Sequence, residues 1–357
     1  MKLLTKIPFI IFIAINLLLI VAMNICAYTS CLPPQDYPHL SYFGLMFPIF
    51  LVANVIFILF WLIFKWKFIA LPLVGMLLCA GSIRTYIPVN IPVNPPAGSI
   101  KILTYNVMGF GKDKDYDWTE NPILDYLLNS NADIICVQEG RKNFVDRVID
   151  KINAVYPYQS LVLVPDNYIA CFSKFPLDSI GLIDYPTTSN CSMVYEVRIG
   201  NDTLVLINNH LESYRLSPTE KDEYKSIIKN YNHPKKNDSE SKYLELTSKL
   251  SRNDSVRGMQ ADSVAAFIER NKGRYIVACG DFNSSPISYT HYRLTEYLND
   301  AYTRSGNGPG ISYNRSGMYF RLDHILISPN ITPYKAKVDR SIDASDHYPV
   351  YCYIKLE

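Results

Sequence analysis

Apolar positions along the chain fall into two different patterns. Near the N-terminus they form three long runs with almost no charge, Ile7 to Ala27, Leu45 to Phe64 and Phe68 to Gly81. The first two runs reach about 20 residues, the length that a helix needs to cross a bilayer, and the third does so only if it extends toward Ile87. We therefore predict a membrane anchor of two or three transmembrane helices over residues 1–84. A cleaved signal peptide is the less favoured alternative for the first run, because that run is long and further apolar runs follow it.

Lysines at the ends of these runs predict how the anchor is oriented. Lys2 and Lys6 precede the first run, and Lys65 and Lys67 separate the second from the third, whereas residues 29–43 contain no Lys or Arg. The positive-inside rule then places the N-terminus and the Lys65–Lys67 loop in the cytoplasm. Three crossings would make this a multi-pass protein of the cytoplasmic (inner) membrane whose remaining chain faces the periplasm or exterior. Two crossings would leave that chain in the cytoplasm instead.

Beyond the anchor, short apolar runs replace the long ones. A proline-rich segment, residues 85–98, predicts a stiff, extended linker before them. Several of the runs are apolar at consecutive positions, as in strands buried on both faces. The predicted strands are Ile100–Tyr105, Asp133–Val137, Tyr168–Ser173, Met193–Ile199, Leu204–Asn208, Tyr275–Ala278, Phe320–Ile327 and Tyr348–Ile354. Helical spacing recurs over residues 144–152 and 256–268, so the pattern favours packed β-sheets with helices outside them.

One charged stretch, residues 213–255, interrupts the succession of predicted strands and helices and has few large apolar residues. Within it, SPTE at 217–220 predicts a helix start, because Ser, Pro and Glu occupy cap, first-turn and capping-box positions. The stretch is interpreted equally well as an inserted lobe beside a functional site and as a solvated surface insertion. Just after it, Arg257 and Gln260 lie one helical turn apart, and a solvated helix face is preferred for them over a role in a phosphate pocket.

Composition and short motifs narrow the function classes. Lys and Arg total 35 and Asp and Glu total 33, so the total charge gives no sign of the basic face that clamps long nucleic acid. The eight cysteines form no CxxC pair, and four of them lie in strand-like runs, which indicates buried free thiols. The chain contains neither GxxxxGK(S/T) nor GxSxG, so P-loop nucleotide chemistry and α/β-hydrolase esterase chemistry are not indicated.

Aspartate, glutamate, asparagine and histidine side chains follow or close many of the predicted strands. Rigid sheets can hold groups at such positions close together. Carboxylate and amide oxygens suit Mg²⁺ or Mn²⁺, and a histidine paired with a buried carboxylate has a stabilised imidazolium. Together these groups predict hydrolysis of a phosphoester. The residues are Asn106, Glu139, His210, Asp281, Asn283, Asp346 and His347 at five strand ends, and Asp323 within a further strand.

Six motifs around these residues carry a resemblance to a known family. They are ILTYNVMGF, DIICVQEG, LINNHLES, CGDFNSSP, RLDHILIS and SDHYPV. Their order and spacing over about residues 99–357 resemble the endonuclease/exonuclease/phosphatase superfamily, which has the deoxyribonuclease-I-like fold, and the chain looks like a membrane-anchored bacterial-type member. The resemblance implies an α/β (α+β) fold, a four-layer sandwich of two mixed β-sheets flanked by helices, here preceded by N-terminal transmembrane helices. It also implies a catalytic domain over residues 99–357 that uses a divalent metal, Mg²⁺ or Mn²⁺.

The resemblance assigns three residues to the metal. Glu139 matches the principal metal ligand, with Asn106 and Asp346 nearby in the metal or phosphate shell. Some members carry a second acid two residues after the first asparagine, where this chain has Met108. We therefore do not expect a tightly held second ion.

The resemblance assigns five further residues to catalysis. Asp281 matches the carboxylate that orients or deprotonates the attacking water, and Asn283 matches the amide that holds this water or a phosphate oxygen. His347 matches the histidine that contacts the scissile phosphate, and Asp323 matches the carboxylate that orients that histidine. His210 matches the position whose side chain donates to the phosphate.

The function expected from these features is that of a membrane-anchored, divalent-metal-dependent phosphoester hydrolase, either a phosphodiesterase or a phosphatase. The expected partners are the membrane and a phosphoester substrate, which is a phospholipid head group, a nucleic acid or a small phosphate ester. No obligate protein partner is inferred. One alternative is an endonuclease or exonuclease acting on DNA or RNA, and another is a non-catalytic binding domain on the same fold.

Overall fold

The structure, a computed structural model, describes residues 7–111, 120–165, 167–186, 190–214, 220, 236–315 and 318–357. Its helices are α1 (Ile7–Tyr28), α2 (Phe47–Phe64), α3 (Ala70–Leu78), α4 (Ala80–Tyr86), α5 (Met108–Gly111), α6 (Pro122–Asn129), α7 (Lys142–Asn153), α8 (Lys236–Arg270), α9 (Tyr289–Thr295) and α10 (Ala301–Ser305). Its strands are β1 (Ile100–Asn106), β2 (Ile134–Arg141), β3 (Tyr158–Val164), β4 (Asn167–Ser173), β5 (Leu177–Leu182), β6 (Cys191–Ile199), β7 (Asp202–His210), β8 (Tyr275–Asp281), β9 (Asn299–Asp300), β10 (Tyr313–Arg315), β11 (Met318–Phe320), β12 (Asp323–Ile327), β13 (Ile331–Val338) and β14 (Val350–Leu356).

Two six-stranded mixed sheets form the C-terminal part of the molecule. The strand order is β13-β14-β1-β2-β4-β3 in the first sheet and β5-β6-β7-β8-β12-β9 in the second. The pairs β1–β2 and β7–β8 are parallel, and the neighbouring pairs β1–β14 and β8–β12 are antiparallel. Strands β10 and β11 form a separate hairpin.

The two sheets share one core, and helices cover their outer faces. Ile102 of β1 packs in the core between the sheets, whereas the next residue, Leu103, packs on the outer side with α6 and α7. Ala278 of β8 packs on the other outer side with α8 and α9. Because successive side chains of a strand point to opposite faces, strands buried on both sides are apolar at consecutive positions. The predicted four-layer sandwich of two mixed sheets flanked by helices is confirmed.

The cysteines in the predicted strands lie inside this sandwich. Cys136, Cys171, Cys279 and Cys352 are buried in the core between the sheets and carry free thiols. They behave there as small apolar side chains.

Two apolar helices at the N-terminus could cross a membrane. By length and composition they cover Phe9–Cys31 and Phe43–Phe64. The count rises to three if Trp66–Leu78 and Ala80–Tyr86, which are bent by 73° at the break between them, form one crossing.

A buried polar pair joins α1 and α2 within this apolar bundle. Asn16 Nδ2 donates to Asn54 Oδ1 over 3.3 Å, and Trp61 Nε1 donates to Asn16 Oδ1 over 2.9 Å. Because an unpaired polar group is costly in an apolar environment, these bonds offset the presence of asparagine in both helices.

The predicted linker contacts the surface of the C-terminal part. The preceding helix α4 continues to Tyr86, two residues beyond the predicted end of the anchor at residue 84. Asn90 Nδ2 then donates to the carbonyl of Thr303 over 3.2 Å, and Gly308 N donates to the carbonyl of Pro88 over 2.9 Å. These bonds fix the linker to α10 and to the turn that follows it.

One continuous helix, α8, runs from Lys236 to Arg270 and joins the end of the charged insertion to the predicted helical segment 256–268. The segment contains no proline and only one glycine, so nothing in the local sequence stops the helix. The predicted helix start falls mostly outside the described residues, because the structure describes only Glu220 of residues 217–220.

Candidate active site

The predicted site residues are brought to one end of both sheets by the strand directions. Asn106, Glu139, His210 and Asp281 lie at or near the carboxyl ends of β1, β2, β7 and β8. Asp323 begins β12, and it faces Asp281 across the pair because β12 is antiparallel to β8. For the same reason the loop that precedes β14, with Asp346 and His347, returns to the carboxyl end of β1.

Asn106 joins the two sheets at this end. Its Nδ2 donates to Glu139 Oε1 over 3.1 Å and to Asp281 Oδ2 over 3.0 Å. Its Oδ1 accepts from the backbone N–H of Met108 over 3.1 Å, and this bond fixes which end of the amide faces the carboxylates. Two carboxylates from different sheets therefore converge on one amide group.

Glu139 reaches this point from an irregular position in β2. The register with β4 shifts between Val137 and Gly140, and Glu139 has a φ of 55°. A bulge of this kind re-aims a side chain, and a positive φ costs a residue other than glycine about 1–2 kcal/mol. The side chain is 29% exposed, which leaves it open to the cleft.

His347 is paired with two carboxylates. Its Nδ1 lies 2.7 Å from Asp323 Oδ2, and its Nε2 lies 3.7 Å from Asp281 Oδ2. Burial lowers the pKa of His347, but the charges of Asp323 and Asp281 outweigh burial, so the pKa stands well above its usual value. The two carboxylates therefore favour the charged imidazolium, whose Nδ1–H is directed toward Asp323.

Asp281 is almost completely buried among these groups. Burial raises its pKa, although His347, His210 and the Asn106 amide act in the opposite direction. His210 Nε2 lies 3.5 Å from Glu139 Oε1 and 4.0 Å from Asp281 Oδ2. Both histidines thus lie near the same oxygen, Oδ2, of the buried carboxylate.

Asn283 closes a tight turn directly after Asp281. Its backbone N–H donates to Asp281 Oδ1 over 2.9 Å, and its φ is 49°. Its Nδ2 donates to the carbonyl of Leu211 over 2.9 Å, which ties the turn to the end of β7. The amide nitrogen is thus used within the protein.

Asp346 lies on the rim of the same cleft. Its backbone carbonyl accepts from Asn314 N, and its Oδ1 accepts from Ser345 Oγ over 3.4 Å. The Ser345 hydroxyl also donates to the carbonyl of Asn106 over 2.7 Å, which holds this loop against the end of β1. Its predicted role beside the metal remains a prediction.

The preference for a solvated face at Arg257 and Gln260 is wrong, because both side chains are fully buried. Arg257 binds Asp254 over 2.6 Å, donates to the carbonyl of Asn283 and stacks on the Tyr214 ring. Gln260 Oε1 accepts from the backbone N–H of Glu212 over 2.8 Å. These polar residues are buried because they satisfy the polar backbone of the loops around the site.

A buried amide network supports the floor of the site. Gln138 Nε2 donates to Asn208 Oδ1 over 2.6 Å and to Thr104 Oγ1 over 3.0 Å, and so connects the two sheets. Gln138 and Asn208 are both fully buried. Sequence reasoning assigned these residues no role, although an amide just inside each strand end was a usable signal.

The site opens into a cleft with two compartments that share Glu139 and Ser213. One is a cavity of about 240 Å³ with polar side chains such as Asn167 and Asn190. The other, of about 170 Å³, contains the site acids and His347 on one side. Its remaining lining is largely apolar or aromatic and comprises Leu45, Tyr214, Leu250, Tyr313, Met318, Phe320 and Leu322. Leu45 belongs to the N-terminal anchor, and no local sequence pattern predicts that it reaches the cleft.

The donor set fits a divalent cation. The carboxylates of Glu139 and Asp281 meet at the Asn106 amide, and Asp346 lines the same cavity. Ligand atoms of Asp281, Asp323 and His347 also lie within 4.8 Å of one another. Asp323 Oδ1 is buried without a hydrogen-bond partner among the described residues. Oxygen donors crowded in this way suit a hard cation such as Mg²⁺.

Comparisons with known proteins agree with this arrangement. Residues 103–347 match the profile of the Endonuclease/Exonuclease/phosphatase family, and residues 9–86 match a Domain of unknown function (DUF8431). No curated protein matches the sequence.

Solved structures share the fold at low sequence identity. A D. rerio TDP2 humanized by 14 mutations has a TM-score of 0.51 and 16% identity, over 72% of this chain and 99% of that chain. The human Nocturnin catalytic domain with a bound sulfate anion has a TM-score of 0.51 and 15% identity, over 74% and 96% of the two chains. An endonuclease/exonuclease/phosphatase from Beutenbergia cavernae has a TM-score of 0.51 and 14% identity, over 72% of each chain.

Proposed function

We propose, since this chain belongs to the endonuclease/exonuclease/phosphatase family, that it is a membrane-anchored hydrolase in which a metal-assisted water molecule attacks a phosphoester. Members of the family are metal-dependent hydrolases of phosphoester bonds. The observation that carries the proposal is the meeting of Glu139, Asp281 and His347, from three separate segments, around the Asn106 amide in one cleft.

Glu139 is the residue best placed to hold the metal, because it is the most exposed of the converging carboxylates that contact Asn106. Asp346 on the rim would complete the oxygen donors, and Asn106 keeps Glu139 and Asp281 close together. A bound divalent cation neutralises charge on the phosphate and stabilises the leaving oxygen.

Asp281 would orient the attacking water and take its proton. Burial raises its pKa, so its carboxylate is a stronger proton acceptor than an exposed aspartate at the same pH. Asn283 N–H holds Asp281 Oδ1, which leaves Oδ2 as the oxygen that faces Asn106 and the histidines. The turn therefore fixes the direction in which the base acts.

His347 would bind the scissile phosphate as an imidazolium. Its Nδ1 is held by Asp323, so its Nε2 is the nitrogen that faces the cleft. A buried, fixed positive charge stabilises negative charge that develops on phosphate oxygens. His210 adds a second donor near the same carboxylate oxygen of Asp281.

The packing of the anchor supports three crossings, with the catalytic domain outside the cytoplasm. Phe68 packs against the Phe9 ring at 4.9 Å, and the Tyr28 hydroxyl donates to the carbonyl of Leu78 over 2.7 Å, so the third apolar run follows α1 from one end to the other. The domain lies at the Tyr28 end of this bundle, opposite Lys65 and Lys67. The positive-inside rule places those lysines in the cytoplasm. An alkaline phosphatase fused after Glu357 should therefore be active, and an inactive fusion would reverse the orientation.

The catalytic proposal is tested with full-length protein in detergent, a soluble phosphodiester and a soluble phosphomonoester. We expect turnover of at least one ester with Mg²⁺ and its loss with EDTA. Asp281→Ala should lower kcat by about 10²–10⁴-fold, the usual range for a general base. Asp178→Ala is the matched control, because Asp178 is exposed on β5 and pairs only with an exposed Arg198 in the described structure.

Two outcomes would reject the proposal. Turnover that survives EDTA or the Asp281→Ala change would remove the assigned mechanism. A folded, Mg²⁺-supplied wild-type protein that hydrolyses neither ester would favour the non-catalytic alternative.

A further inference from the structure

The segment between α1 and α2, residues 29–46, packs directly on the catalytic domain. Gly44 lies so close to the loop before α9 that a Cβ there would stand 1.8 Å from the carbonyl oxygen of Ile287. The Ile287 side chain in turn packs with Met23 and Phe47 of the anchor helices. The domain therefore shares a small apolar core with the anchor.

Polar contacts extend this interface along α8. Ser41 Oγ donates to Asp254 Oδ2 over 2.9 Å, and Gln35 Nε2 donates to Asp262 Oδ2 over 3.2 Å. The Ser255 hydroxyl donates to the carbonyl of Pro34 over 2.9 Å. Several side-chain contacts thus bind the catalytic domain to the segment that connects α1 and α2.

This interface reaches the catalytic turn through one chain of bonds. Asp254, which accepts from Ser41, also pairs with Arg257, and Arg257 donates to the carbonyl of Asn283. Asn283 follows Asp281 in the turn. Residues 29–46 and the catalytic turn are therefore connected by hydrogen bonds that fix their relative positions.

The interface also places one anchor side chain in the cleft. Leu45 lines the same cavity as Asp281 and His347, and it lies in the apolar stretch Phe43–Phe64 that could cross the membrane. The cavity therefore opens within a few residues of the point where α2 enters its apolar run. A molecule in this cavity is in contact with the acids on one side and with the start of a membrane helix on the other.

We propose, building on the proposed function, that the substrate is a phosphoester lipid drawn from the membrane that the anchor crosses. Its phosphate lies among Glu139, Asp281 and His347, and the carbons next to the phosphate lie against Leu45. The polar compartment around Asn167 takes the head group. The cavity lies beside the start of α2, so the rest of the chain stays in the bilayer.

The charge and lining of the cleft favour a lipid over a long polyanion. The described lining of the apolar compartment contains no Lys or Arg, whereas proteins that track nucleic acid line the groove with basic side chains. The apolar wall continues from Leu45 to Met318 and Phe320 of the β10–β11 hairpin. Burial of hydrocarbon against such a wall is favourable because it removes apolar surface from water.

The test compares a lipid with a soluble ester in the same full-length protein. Leu45→Ser and the control Leu182→Ser are reconstituted with vesicles of phosphatidylethanolamine and phosphatidylglycerol, and each is also given a soluble phosphodiester, with Mg²⁺ throughout. Leu182 carries the same side chain but is 54% exposed on β5. We expect Leu45→Ser to lower kcat/KM for the lipid by about tenfold, the effect of losing one leucine contact. Turnover of the soluble ester by Leu45→Ser should fall clearly less than turnover of the lipid, and both activities of Leu182→Ser should stay at wild-type values.

The outcomes separate this inference from the function on which it rests. Hydrolysis of the soluble ester without hydrolysis of the lipids would overturn the inference and leave the hydrolase assignment intact. An equal loss of both activities in Leu45→Ser would also overturn it, since Leu45 would then act on folding or on the catalytic centre. Absence of turnover of both the lipids and the soluble ester in the wild-type protein would instead count against the proposed function.

Discussion

Replacing Asp323 by asparagine should move the pH dependence of the reaction without removing the site. The Asp323–His347 contact is 2.7 Å long, and both side chains are at most 5% exposed. A hydrogen bond of this kind to a charged group contributes about 1.5–3 kcal/mol. One pKa unit corresponds to about 1.4 kcal/mol, so the pKa of His347 should fall by about 1–2 units in Asp323→Asn. Asp281, 3.7 Å from the other ring nitrogen, keeps part of the stabilisation.

The assay is the pH profile of kcat/KM for a soluble phosphoester. If the imidazolium binds the phosphate, activity is present below the pKa of His347 and is lost as the pH rises through it. Asp323→Asn should therefore shift the alkaline limb to lower pH by about 1–2 units. Because the folded-state pKa of His347 is raised, the stability that its charge contributes should also be lost at lower pH in the variant. An unchanged alkaline limb in a folded Asp323→Asn protein would refute the role given to His347.

Two further predictions concern buried charges that support the fold around the site. Arg257→Met should lower the free energy of unfolding by about 3 kcal/mol, measured by chemical denaturation, because it leaves Asp254 without its buried cation; a loss below about 0.5 kcal/mol would contradict this. Asp300 is buried, which raises its pKa, but His291 and Arg321 more than offset burial and hold that pKa well below the usual value. The stability that the charged Asp300 carboxylate contributes is present above about pH 4 and is lost as the pH falls further. In Asp300→Asn, Tm should therefore decline less steeply toward acid pH than in wild type. The same decline of Tm in both proteins would contradict this role of Asp300.

The strand-end residues were predictable because the strands before them are recognisable in the sequence. Runs such as the one before Asp281 are apolar at consecutive positions only where both faces of a strand are buried. The first polar residue after such a run must lie at the edge of the sheet. The family motifs then supplied what a local pattern cannot, namely that β1 and β2 of one sheet meet β7, β8 and β12 of the other.

Contacts between distant polar residues were not predictable from local patterns. Arg257 and Gln260 are charged or polar at positions that a helical plot assigns to a solvated face, and they are buried because loop carbonyls and N–H groups need partners there. Leu45 is one apolar residue within a long apolar run, and only the packing of Gly44 on Ile287 brings it into the cleft. Periodicity describes which face of an element is apolar, but not which distant element covers that face.

Metal binding at Glu139 tests the central claim most directly, because it does not depend on the choice of substrate. The measurement is Mn²⁺ binding to the full-length protein, followed by electron paramagnetic resonance. It compares wild type, Glu139→Gln and the control Glu196→Gln. Glu196 lies on β6, pairs with Arg274 and lines neither compartment of the cleft. The account predicts saturable binding by wild type and the control, and an affinity lower by about tenfold or more in Glu139→Gln, as expected when a charged oxygen ligand is removed. Equal affinity in all three proteins, or no saturable binding by wild type, would contradict it.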